Sequence, residues 1–147
     1  MADEALIFPA YDIAVDTEGD KQWVYDVIRR KWVVLQPEEW VRQHLVHYLV
    51  RAKGVSPNLV SVEKEIRYRE LRKRFDVVVF DRAGKPFILC EVKAPDVPVN
   101  QDTLNQIARY NESLQAPHLL LTNGRMLAFF SRNAEGEYVF QANGWWE

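Results

Sequence analysis

A single cysteine, Cys90, excludes an internal disulfide and a cysteine-based zinc cluster. Long apolar runs are also missing, so no segment reads as a membrane span. The opening MADEALIFPAYD is acidic and lacks the basic start and apolar stretch of a secretory signal, which predicts a cytoplasmic protein. Repeats and low-complexity tracts are absent, so nothing marks a linker. Net charge is small as well: −2 over 147 residues gives no global attraction to nucleic acid. Charge is uneven, however. Residues 64–74, KEIRYRELRKR, carry six basic side chains against two acidic ones, and Arg29-Arg30-Lys31 form a second cluster. Such patches either hold phosphates or are solvated faces near strand ends. No serine or cysteine nucleophile constellation is visible.

What is present suffices for one domain with a proper core over residues 1–147. Short apolar runs over 1–35 predict peripheral strands. Pro37 followed by Glu38 and Glu39 is a helix start, because proline needs no donor there and carboxylates suit the positive helix end. Val41, Leu45, Tyr48, Leu49 and Ala52 then recur at helical spacing up to Gly54, which predicts a helix over Pro37–Lys53. Strands follow over residues 59–69 and through the run RFDVVVFDRAGKPFILCEVK. APDVPVN reads as a loop, residues 101–115 as an amphipathic helix, and PHLLLT, RMLAFFS and YVFQ as strands, with a turn at Asn123-Gly124. The predicted class is α/β: a core over 36–124 in the order helix, three strands, helix, strand (αβββαβ), with closing strands over 125–147.

The central hairpin carries the chemistry. Val77 to Phe80 and Phe87 to Cys90 are continuous apolar runs, as expected for strands covered on both faces, yet Asp76, Glu91 and Lys93 interrupt them. A two-residue turn at Ala83-Gly84 would set Asp76 directly opposite Glu91, with Cβ atoms about 5 Å apart, a like-charge pair that calls for a cation. Lys93 projects from the same face as Glu91. Aspartate, then Glu-Val-Lys at a strand end, suits hydrolysis of a phosphodiester. A divalent ion there neutralises phosphate charge and acidifies a water, while a lysine orients that water. The alternative is a salt bridge at a strand end.

On the following helix Gln106 and Tyr110 are four apart and share a face. With LQPEEWVRQHL, RFDVVVFD, CEVKAP, QIARYN and LLLTNG in this order, the chain resembles the PD-(D/E)xK nuclease superfamily. Within it, the similarity is to the N-terminal nuclease domain of type I restriction enzyme R subunits. The resemblance implies a restriction-endonuclease-like fold, with a mixed sheet flanked by helices, and Mg²⁺-dependent cleavage of DNA in a restriction-modification setting, Mn²⁺ substituting. Asp76 and Glu91 would be metal ligands, with the carbonyl of Val92 a backbone ligand and Lys93 positioning the water. Glu39 is the candidate acid from the first helix, with Glu38 and Glu65 as alternatives. Gln106 and Tyr110 would support the site or touch nucleic acid, as would Arg72 and Arg74. Phe75 stands where the superfamily name has proline. Helicase motifs are lacking, so the expected partners are DNA, a separately encoded helicase or restriction subunit, and a second copy of the chain, with no membrane. A non-catalytic module that binds nucleic acid or a motor protein is the rival. His44 and His47 are a weak metal pair without a third donor, and Trp145 and Trp146 are expected to cover an edge of the core.

Overall fold

The computed structural model describes residues 5–142, so the expectation for Trp145 and Trp146 lies outside the described residues. A six-stranded sheet runs in the order β4-β5-β6-β7-β8-β9. Its strands are β4 (Val60–Tyr68), β5 (Leu71–Phe80), β6 (Pro86–Val92), β7 (His118–Thr122), β8 (Leu127–Arg132) and β9 (Tyr138–Phe140). Neighbours are antiparallel except β6 and β7, which are parallel and joined through helix α2 (Gln101–Leu114). Helix α1 (Pro37–His47), extended by a π-helical turn over Tyr48–Ala52, precedes the sheet. The fold is thus mixed α/β. The closing strands are not an appendage, since β8 and β9 continue the main sheet. Among the described residues no helix is long and apolar enough to cross a membrane.

Both faces of the sheet are covered, which explains the unbroken apolar runs. Val41, Leu45, Val46 and Leu49 of α1 pack with Val77, Val79, Ile88 and Cys90. Ile107 of α2 packs on the other face with Val78, Leu89, Leu119 and Leu121. Burial pushes the Cys90 thiol far up, leaving it an inert core side chain. Asn100 starts α2: its side chain accepts the amides of Asp102 and Thr103, while Thr103 Oγ1 accepts the amide of Asn100.

Two irregularities shape the centre. The β5–β6 connection is not the two-residue turn expected. Asp81 donates its amide to Lys85 O at 2.8 Å, leaving a three-residue loop with Gly84 in the left-handed region at φ 81°. A bulge beyond Val79 then inserts Phe87, and Val77 still faces Cys90, so the longer loop and the extra residue cancel. The second irregularity is at Asp76. The β4–β5 ladder passes from Val62↔Val77 to Lys64↔Phe75 without pairing Glu63 and Asp76, and Glu63 has φ 53°. Phe75 consequently packs on the α2 face although Val77, two residues on, packs on the α1 face. From that step the basic ribbon doubles back beside α2. Lys73 Nζ lies 5.1 Å from the Tyr110 ring, and the ribbon tip at Tyr68-Arg69 meets Gly84–Pro86 and residues 112–115 around a cleft of about 610 Å³.

The strands expected within 1–35 form a separate antiparallel sheet of β1 (Val15–Glu18), β2 (Lys21–Asp26) and β3 (Lys31–Val34). Val24 and Leu35 bury against Trp40 of α1. The segment before it crosses to the β7–β8 turn, where the Ile7 amide donates to Gly124 O at 2.7 Å. Gly124 has φ 85°, and a Cβ there would lie 2.8 Å from Leu6 Cδ2 and 3.1 Å from Val41 Cγ2. Gly124→Ala therefore loses about 1–3 kcal/mol, measured by urea unfolding, from backbone strain and the displaced leucine.

Candidate active site

Asp76, Glu91 and Lys93 meet at the C-terminal end of β6. Having left the ladder, Asp76 turns its carboxylate onto β6: Oδ2 accepts the Val92 amide at 2.9 Å. Its Oδ1 accepts from Arg42 Nη2, also at 2.9 Å. Lys93 Nζ stands 3.3 Å from Glu91 Oε2, and the Lys93 amide is fixed to Thr122 O of β7 at 2.9 Å. The side chains of Asp76 and Glu91 are 16% and 17% exposed, so the corner is half-buried and still reachable. Burial, and then the charge of Asp76, raise the Glu91 carboxyl above its ordinary range, while Lys73 and Lys93 act against that rise.

The acids before the corner divide sharply. Glu38 Oε2 lies 2.9 Å from Arg42 Nη2, and its carboxyl is raised by burial and then by Asp76, with Arg42 and Lys93 opposing. Glu38 therefore faces the same corner. Glu39 is turned inward behind Arg42, taking Arg42 Nη1 at 2.6 Å, Arg29 Nη2 at 3.2 Å and Gln43 Nε2 at 3.0 Å. Glu65 is out on the ribbon with Arg67 and Arg72.

Arg42 and Glu63 also belong to this corner, outside the residues that the sequence motif marks. The arginine side chain is 4% exposed, and its Nη2 also lies 3.4 Å from Glu63 Oε1. Its spacing from Glu38 and Glu39, four and three residues along one helix, was the available signal. Nothing in the sequence pointed to Glu63, which reaches this place only through the backbone step opposite Asp76.

The family described as type I restriction enzyme R protein N terminus matches residues 37–143. The chain belongs to this family. A comparison with curated proteins finds no match. The matched stretch begins with α1 and contains the whole corner; the β1–β3 sheet precedes it.

Within this R-protein domain the α2 residues stand at different depths. Gln106 is exposed. Tyr110 is half-buried, edge-on to Phe75 with ring centroids 6.4 Å apart, and it carries Lys73 above its ring. Lys73, above the Tyr110 ring, is one of the two lysines whose charge opposes the rise of the Glu91 carboxyl. Arg72 and Arg74 are exposed at 69% and 64%, paired loosely with Glu65 and Glu63. His44 and His47 are core side chains. His44 Nδ1 lies 2.9 Å from Trp40 O, and burial holds both imidazoles below their ordinary range.

Among the described residues no three His, Cys, Asp or Glu side chains gather as a metal cage. The corner offers instead two mutually repelling carboxylates that are not fully desolvated, Asp76 through Oδ1 and Glu91. That donor set fits a hard cation such as Mg²⁺, which takes one or two carboxylates and keeps several waters.

Proposed function

We propose that this domain is a metal-dependent endonuclease that hydrolyses DNA phosphodiester bonds with Mg²⁺, Mn²⁺ substituting. The observation that carries the reading is the convergence of Asp76, Glu91 and Lys93 at one half-buried corner of a chain in a restriction-enzyme family. The order α1, β4, β5, β6, α2, β7 supports a restriction-endonuclease-like core. Asp76 and Glu91 would hold the ion together with the Val92 carbonyl, and Glu38 rather than Glu39 would add the helix acid. A divalent ion bound there supplies charge neutralisation at the phosphate and a more acidic water. Lys93, held against Glu91, orients that water and meets charge developing on the phosphate. Lys73, above the Tyr110 ring, adds positive charge that acts on Glu91, and Gln106, Arg72 and Arg74 are exposed for the nucleic-acid backbone. The domain works with DNA and other restriction-system subunits, and a pair of copies would cut both strands of a duplex.

A second reading has its own support. Both oxygens of Asp76 already accept hydrogen bonds, one from a buried arginine, as suits a nuclease-like module that binds DNA or a partner without cutting. Supercoiled plasmid incubated with the purified protein separates the two. The nuclease nicks it with Mg²⁺ and not with EDTA, and Lys93→Ala slows nicking by about 100-fold or more. Equal nicking by Lys93→Ala overturns the proposed site, and plasmid binding without nicking in any divalent ion favours the module.

A further inference from the structure

The geometry points to a role for Arg42 that the reaction itself does not require: we propose that it is a built-in counter-cation which sets how tightly the corner takes a divalent ion. Its Nη2 alone lies 2.9 Å from Asp76 Oδ1, 2.9 Å from Glu38 Oε2 and 3.4 Å from Glu63 Oε1, while Nη1 lies 2.6 Å from Glu39 Oε1. One nitrogen with two protons cannot hydrogen-bond three carboxylates well. It serves them as a centre of charge shared by carboxylates of α1, β4 and β5. The guanidinium is committed to this: it is 4% exposed, and its Nε is buried without a partner, so the fork faces the acids at the expense of the stem.

Two consequences follow from Coulomb's law at these separations. The acids can stand together without a divalent ion, so folding does not depend on one. Each oxygen of Asp76 already accepts one hydrogen bond, so an ion approaching this carboxylate shares it with the guanidinium and the Val92 amide and feels the repulsion of the guanidinium. Arg42 thus weakens ion binding and keeps the corner neutralised until substrate phosphates add negative charge. This rests on the reading of the Asp76 corner as the cation site.

The test uses Mn²⁺ alone, without nucleic acid, on the whole chain as wild type and as Arg42→Gln, each with and without Asp76→Asn. Calorimetry reads affinity, and thermal melting reads stability against Mn²⁺. Arg42→Gln is expected to melt lower in EDTA, to gain more in Tm on adding Mn²⁺ than wild type does, and to bind Mn²⁺ about tenfold tighter. Asp76→Asn should remove both gains. Equal affinity and equal Tm response in wild type and Arg42→Gln overturn the counter-cation role and leave the nuclease reading standing. Tight Mn²⁺ binding that survives Asp76→Asn, or no binding by any of the four, overturns the corner as the ion site and this inference with it. Should Arg42→Gln fail to fold, Arg42→Met, which keeps an apolar stem and removes the charge, answers the same question. With no cation beside Asp76, Mn²⁺ affinity should still rise, and an unchanged affinity overturns the proposal.

Discussion

Asp76→Ala is expected to reduce plasmid nicking to the EDTA background and to cost about 1–3 kcal/mol of stability at the same time. The two losses have separate causes. Nicking fails because the carboxylate proposed to hold the ion is gone. Stability falls because the Val92 amide loses the acceptor that replaced a ladder bond, and Arg42 loses one of the acids around it. The remaining acids on Arg42 keep the cost below that of an orphaned buried charge. Asp76→Asn separates the causes. An amide oxygen can still accept from Val92, so urea unfolding should move less than in the alanine variant, while nicking should stay at background. It also removes a charge that raises Glu91. Nicking retained by Asp76→Asn would show that the negative charge at this position is dispensable, and the metal-ligand reading of Asp76 would fail.

Much of the fold was legible because its signals are local. Pro37 with two acids marked the start of α1, and the VVVF and FILC runs marked strands covered on both faces. The two-residue turn behind the expected pairing of Asp76 with Glu91 does not exist; the ladder ends at Val77↔Cys90, in the register that pairing implies, because the bulge at Phe87 offsets the longer loop. Neither feature has a sequence signature beyond Gly84. The site was legible only in its strand residues. Which helix acid faces the corner depends on the rotation of α1, and adjacent glutamates give no handle on that: Glu38 looks out to Asp76 and Lys93, and Glu39 looks in to Arg29 and Gln43. The basic ribbon read from composition as a patch. The backbone step at Glu63 and Asp76 folds it back, placing Lys73 on Tyr110 and within electrostatic reach of Glu91. Long-range placement of this kind follows from one unpaired position, which no periodicity announces.

Asp26→Ala carries the largest expected loss of stability, about 3–5 kcal/mol by urea unfolding. Asp26 ends β2 and its side chain is fully buried. Its Oδ1 accepts the amides of Ile28 and Arg29 at 2.8 Å each, and Oδ2 accepts Arg29 Nε at 2.6 Å and Gln43 Nε2 at 3.0 Å. Burial alone would raise this carboxyl; the bonds from the Arg29 amide and guanidinium and from Gln43 outweigh it and hold it below its ordinary range. A depressed carboxylate contributes stability above its unfolded value of about 3.9, and that contribution is lost as pH falls through the folded value. The wild-type advantage over Asp26→Ala should therefore be full at neutral pH and shrink in acid. The residue also begins a chain of charges: Arg29 continues to Glu39, Glu39 to Arg42, and Arg42 to Asp76. If the β2–β3 turn is tied to the corner through that chain, Asp26→Ala and Glu39→Gln will be non-additive by about 0.5–3 kcal/mol in a double-mutant cycle. Additive losses would mean that Asp26 anchors the small sheet, which lies ahead of the family match at residue 37, independently of Glu39. Coupling would mean that this sheet helps to fix the arginine facing Asp76.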